Sequence, residues 1–234
     1  MRSLKKHWIC ILMLILIMSG YALLLSGCKK EKSPQKFKYE YGTVTDIDGN
    51  SYKTVKIGDQ WWMTENLKVT HYRDGSDIHN VTDSATWCYL TIGAYCWYEN
   101  NAVKYKSFYG ALYNWRAVGD SRNIAPIGWH VATTDDWYNL TYYLNRGNPV
   151  AAGGKLTDLD GFAAIPSGYR HCLLCYPDCR IFDEAGQTYY WWTKSNNDSL
   201  TAINWQMSSL DPYMGIDSNQ QDNKLGFSVR CIKD

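Results

Sequence analysis

The chain lacks a charge surplus: 24 Lys and Arg against 23 Asp and Glu give a formal net charge of +1. Without a basic surplus, nothing points to a nucleic-acid partner. It also lacks internal repeats and low-complexity tracts, so a solenoid or an array is not expected. Three catalytic signatures are missing as well. There is no Gly-x-x-x-x-Gly-Lys-Ser/Thr phosphate loop, no Gly-x-Ser-x-Gly nucleophile elbow and no His-Glu-x-x-His zinc helix. The expectation is therefore a non-catalytic protein. A glycosidase-type acid pair stays open, since its two carboxylates need only meet in space. Phenylalanine is scarce, with 5 residues against 19 Tyr and 11 Trp. That balance suits a loop-rich fold whose aromatics bury their rings and keep a polar tip hydrogen-bonded.

What is present begins with a leader. Arg2, Lys5 and Lys6 precede an apolar run from Trp8 to Leu25, which ends in Leu25-Ser26-Gly27-Cys28. This pattern predicts an export signal over 1–27, with an uncleaved membrane helix as the alternative. The Leu-Ser-Gly-Cys step is similar to a bacterial lipobox, which implies lipidation of Cys28 and a membrane partner through the lipid anchor. Lys29 is not an aspartate, which by analogy favours the outer membrane, with the domain at the cell surface. Residues 28–37 are polar, lysine-rich and broken by Pro34, and read as a tether. Residues 38–234 read as one domain of α+β class.

Within that domain, Thr43–Met63 holds two turn signals, Asp48-Gly49-Asn50 and Gly58-Asp59, between Val-, Ile-, Thr- and Trp-rich runs. An antiparallel meander is expected. Gly128 to Val131 should be extended and lead into a helix capped by Thr133, with Asp135 and Asp136 at its positive end. Trp137, Leu140 and Leu144 then share one helical face. Residues 153–156 and 161–168 are glycine-punctuated and read as loops. Tyr189–Thr193 and Ala202–Ser208 read as strands. Phe227–Ile232 alternates apolar and polar residues, the pattern of a half-buried last strand. Of the histidines in the domain, His130 is expected to hydrogen-bond a neighbouring strand.

Of 8 cysteines, Cys10 lies in the leader and Cys28 at the lipobox. Cys88, Cys96, Cys172, Cys175, Cys179 and Cys231 remain, an even set that suits disulfides outside the cytoplasm. Cys88 and Cys96 flank a turn at Thr91-Ile92-Gly93 and could close a short loop. The cluster from His171 to Cys179 offers a zinc alternative, with Cys172-x-x-Cys175, Cys179 and His171 as ligands.

Several spaced segments then point to a family. They are DIDGNSYKTVKIGDQWWMTENL, GAYCWYEN, YGALYNWRAV, GWHVATTDDW, YYWWTKS and GFSVRC. Together and in this order they resemble the Fibrobacter succinogenes major paralogous domain. More distantly they resemble the formylglycine-generating-enzyme branch of the C-type lectin-like fold. The resemblance implies antiparallel strands and hairpins, one or two helices and long loops. It implies no oxidase chemistry, because Ala202–Ser208 holds no cysteine or glycine pair where those enzymes react. Many relatives carry a cysteine where this chain has Ala125, which leaves Cys231 to pair elsewhere or stay free.

Lectin-like relatives imply binding or adhesion, and polysaccharide or surface proteins as partners. The calcium-binding tripeptides of sugar-binding lectins are absent here. Calcium is the one cofactor considered, at Asp217, Asn219 and Asp222, with a solvated loop as the alternative. Stacking on sugar is the other route. Trp62, Trp97, Tyr98 and Trp192 are the candidate rings, with an interior role for each as the alternative. Three functions are in view: non-catalytic binding or adhesion at the cell surface, with polysaccharide or glycan as the ligand, a structural or protein-interaction component of a surface assembly, and an enzyme of unrecognised chemistry.

Overall fold

A computed structural model describes residues 38–145, 153–172, 181–195, 201–209 and 214–234. The expected leader, the lipobox with Cys28 and the tether lie outside the described residues, as do Cys175 and Cys179.

The meander forms as the turn signals predict. Strands β1 (Glu40–Thr45), β2 (Ser51–Ile57) and β3 (Gln60–Met63) pair antiparallel in sequence. The sheet then continues with β13 (Cys231–Lys233) and β7 (Trp129–Val131), in the order β1-β2-β3-β13-β7. Ile232 faces Trp62 on one side and His130 on the other, so the last strand is clamped between the meander and β7.

Directly after β7 comes α4 (Thr134–Leu144). Its start is a capping box: Thr133 Oγ1 accepts from Asp136 N, and the Asp136 side chain accepts from Thr133 N at 2.8 Å. Both groups satisfy amides that the first helical turn leaves without partners. Trp137, Leu140 and Leu144 are fully buried, as their spacing predicts. Trp137 is the centre of an aromatic cluster, with Trp62, Trp191 and Trp205 rings at 5.1, 5.0 and 5.9 Å.

A second sheet, β10 (Thr188–Trp192), β11 (Thr201–Ser208) and β12 (Met214–Asp222), is antiparallel throughout. Adjacent strand residues point to opposite faces, yet Trp191 and Trp192 are both fully buried. The reason is that β10 lies between two cores. Trp191 joins Trp137 and Phe162, while Trp192 packs on Phe227 and Tyr113. The segment 217–223, expected as a loop, lies mostly in β12 instead. Residues 153–156, also expected as a loop, form the short helix α5 (Gly153–Leu156).

The last stretch departs from its half-buried pattern. Gly226 to Ile232 are all buried, and only the end forms regular strand. Its polar residues face a hydrogen-bonded interior rather than water. Arg230 donates to Asn66 Oδ1 (2.7 Å), Met63 O (2.8 Å), Phe162 O (3.1 Å) and Ala163 O (3.1 Å). Ser228 bonds Ser167 at 2.8 Å and accepts from Asn66 Nδ2 at 3.2 Å. Burial is tolerable because each polar group has partners. Arg230 has carbonyls rather than an acid around it, and burial pushes its pKa down to about 9, still above neutrality.

The short Cys88–Cys96 loop does not form. Cys88, on α1 (Ser84–Tyr89), is bonded to Cys172, 84 residues away in sequence and 5.1 Å apart at Cα. Cys172 follows β8 (Ser167–Arg170), which pairs with β9 (Phe182–Ala185). Cys96 points into the core from β5 (Ala94–Cys96), and both it and Cys231 are buried free thiols.

Candidate functional site

The site is built from Asn114 outward. This buried residue caps α3 (Trp115–Gly119), its Oδ1 accepting from Ala117 N at 3.0 Å. The same Oδ1 accepts from Ala94 N at 2.9 Å, and Nδ2 donates to Ile92 O at 2.9 Å. One side chain thus fixes the distance between α3 and the loop Thr91–Gly93. Two glycines permit the close fit. A Cβ at Gly93 would meet the Tyr72 hydroxyl at 2.0 Å and Ala117 Cα at 2.9 Å. At Gly119 a Cβ would meet the Trp115 ring at 2.8 Å.

Between these walls lies an open cleft of about 350 Å³, of the size that takes small ligands. Trp115 forms part of it, held by its backbone amide to Asn223 O (3.0 Å) and by Nε1 to Thr193 O (3.3 Å). Thr91, Ile92, Asn223, Asp120 and two arginines complete the lining.

The two arginines differ. Arg122 grips Asp120 with Nε and Nη2 at 2.9 and 2.7 Å, donates Nη1 to Ser76 Oγ at 3.1 Å and lies over the Tyr72 ring. The hydrogen bonds from Arg122 hold the Asp120 carboxyl below its usual range, against the opposing effect of burial. Arg116 is half-buried, its Nε is wholly covered, and among the described residues it has neither hydrogen bond nor ion pair.

The ring candidates from sequence go elsewhere. Trp62 and Trp192 are 0 % exposed, Trp97 6 % and Tyr98 7 %, so none of the four can stack on an outside ligand. Trp97 packs edge-on against Tyr95, and Tyr98 against Tyr105, Tyr109 and Phe182. An exposed pair lies instead on the outer face of α4, where Tyr138 and Tyr142 stack 6.0 Å apart.

Most of the metal candidates lie outside the described residues: the side chains of Asp217 and Asn219, and Cys175 and Cys179. Among the described residues, no group of three His, Cys, Asp or Glu side chains could share an ion. Asp222 is exposed and its Oδ1 accepts from Lys224 N at 3.0 Å. Asp217 and Asn219 lie in β12, and their side chains fall outside the described residues. Cys172 is spent on its disulfide and cannot supply a zinc thiolate. His171 packs against Tyr169, and burial lowers its pKa.

Two histidines are tied at both ring nitrogens. His130 lies between Asp136 (3.1 Å) and Asp234 (2.7 Å), and His71 between Asp77 (2.9 Å) and Asp48 (2.5 Å). With both nitrogens engaged, each holds chain segments together rather than presenting a free nitrogen.

Sequence reasoning missed Trp115, Arg116, Asp120 and Arg122. One signal was available: Asn114 before Trp-Arg-Ala-Val is a helix N-cap, which places the Trp-Arg step at the start of a surface turn.

The fold and cleft define an α+β domain with an open polar and aromatic cleft and a buried, arginine-centred last strand. The chain belongs to the Fibrobacter succinogenes major domain family, whose model matches residues 55–233. No curated protein and no solved structure matches it.

Proposed function

We propose that this protein is a lipid-anchored cell-surface binding module that takes polysaccharide without transforming it. The observation that carries the reading is the cleft, which the half-buried Trp115 lines together with Arg116 and Thr91. Sugars offer an apolar ring face and a rim of hydroxyls, and a flat indole beside fixed polar groups complements both. Among the described residues, one carboxylate lines the cleft, Asp120, and it is engaged by Arg122. In this reading binding does not require calcium, and the Asp120 carboxylate held by Arg122 does not serve as a general acid.

Placement in the envelope rests on Leu25-Ser26-Gly27-Cys28 and gains support from the Cys88–Cys172 disulfide, since such bonds persist outside reducing compartments. The scaffold is of C-type lectin-like type. Support comes from β13 sitting between the meander and β7, which brings the beginning and end of the domain into one sheet.

A second reading, docking to a protein of a surface assembly, is favoured by α2 (Ala102–Tyr109). That helix buries no residue and exposes Val103 and Phe108. Tyr105 and Tyr109 dock the helix on the domain, and the apolar side chains left exposed beside them suit a protein contact.

The full-length chain, solubilised in detergent, is tested against a panel of acidic and neutral polysaccharides with and without a chelator. Chelator-resistant binding to at least one of them is expected. A folded chain that binds none would remove the glycan reading and leave the docking one.

A further inference from the structure

We infer that the ligand of the cleft carries an anionic oxygen group on a sugar ring, and that Arg116 is its counter-ion; this rests on the glycan reading above. Among the described residues, the cleft holds Arg116, Arg122 and Asp120 as its charged residues. Arg122 and Asp120 satisfy one another through two parallel hydrogen bonds. One positive charge is left in excess, and it belongs to Arg116.

The side chain of Arg116 is not a solvated surface arm. Its Nε is covered by protein without an acceptor. A buried polar donor that lacks a partner costs free energy, and a half-buried guanidinium that lacks a counter-charge costs more. An anion in the cleft offsets the cost of the unbalanced charge, while Nε stays covered. The covered Nε removes the side-on face of the guanidinium, leaving the Nη1 and Nη2 edge for an oxyanion, the geometry in which arginine binds carboxylate or sulfate oxygens in pairs. Trp115, one residue earlier and lining the same cleft, gives the sugar ring that carries the group a face to rest on.

A carboxylate of a uronic acid and a sulfate ester share this chemistry, and the probes separate them. The full-length chain is titrated calorimetrically with polygalacturonate, fully methyl-esterified polygalacturonate, a sulfated galactan and the same galactan desulfated. One acidic polymer should bind at least about tenfold more tightly than its own neutral form. Which polymer shows the gap identifies carboxylate or sulfate.

Arg116→Gln should abolish that gap with a melting temperature no lower than that of the wild type, because among the described residues the side chain has no partner to lose. Arg116→Lys, which keeps the charge but not the paired donors, should retain part of it. Equal binding of acidic and neutral forms, or a gap that survives Arg116→Gln, overturns this inference and leaves the glycan reading standing. If only neutral members of the wider panel bind, the inference also falls. A folded chain that binds no glycan removes both.

Discussion

His130 Nδ1 lies 2.7 Å from Asp234 Oδ1, tying β7 to the residue that follows β13. The other ring nitrogen reaches Asp136 in the capping box of α4, so a single imidazole joins the central sheet, the last residue and the start of the long helix. Hydrogen bonding to Asp136, and then to Asp234, raises the His130 pKa above its ordinary 6.5 against the opposing effect of burial. A raised folded-state pKa gives stabilisation that is complete below about 6.5 and lost as pH climbs through the folded value.

Asp136 has the opposite sign. Burial pushes its pKa up, but hydrogen bonds from His130 and Thr133 outweigh this and leave it below the ordinary 3.8. Its contribution is present above about pH 3.8 and lost as pH falls through the folded value. Urea midpoints should therefore be highest between about pH 4 and 6.5 and decline on the alkaline side. In His130→Gln the alkaline decline should flatten. Parallel declines for both proteins would mean that the contact contributes nothing.

Arg230 should be among the costliest residues to replace. Arg230→Met leaves three backbone carbonyls buried without their donor and Asn66 Oδ1 with Trp191 Nε1 as its remaining one, a loss of about 3–5 kcal/mol by analogy with broken buried pairs. Lysine should not rescue it, because a single ammonium cannot span acceptors arranged around a planar fork. Equilibrium unfolding of the two variants provides the check; a lysine variant as stable as the wild type would refute the role.

The thiol map makes a third prediction. Proteolysis under non-reducing conditions should release a Cys88–Cys172 cross-linked pair. Cys96 and Cys231 should react with iodoacetamide only after unfolding, since burial pushes the Cys96 thiol up to about 11 and raises Cys231 as well. Cys172→Ser should lower stability by about 2–4 kcal/mol, as expected for a bond that closes a long loop. A Cys88–Cys96 pair in the digest would contradict the fold around α1.

Helix α4 gives a fourth test. Trp137→Ala removes the centre of the aromatic cluster and should cost about 3–5 kcal/mol. Tyr138→Ala, one residue further on the exposed face, should stay within about 0.5 kcal/mol of the wild type. Comparable losses for the two would mean that the helix faces are misassigned.

That helix was also the most legible part of the sequence. Over eleven residues the 3.6-residue period repeats enough to fix a face, and Thr133 with Asp136 marks the start in local chemistry alone. The same period places Tyr138 and Tyr142 outward, and weighing it would have replaced the buried tryptophans as exposed rings. The meander was legible for a similar reason, its turns being local.

The cleft was not. At five residues, α3 is too short to show a period, and the walls come from Thr91–Gly93, Trp115–Arg122 and Asn223, which only the fold brings together. The last strand was half legible. Its alternation is real, but the partners that let Ser228 and Arg230 be buried sit at Asn66, Phe162 and Ser167, far away in sequence. The disulfide failed on the same ground, because a local pairing of Cys88 with Cys96 looks cheaper until the fold carries Cys172 to α1.

Hydrogen exchange of the full-length chain, with and without the tightest-binding polysaccharide of the panel, tests the central claim most directly. Protection should appear at the amides of 91–93, 115–122 and 223, the walls of the cleft. Protection confined to the Tyr138–Tyr143 face of α4, with the cleft amides unchanged, would contradict the assignment of the cleft as the binding site.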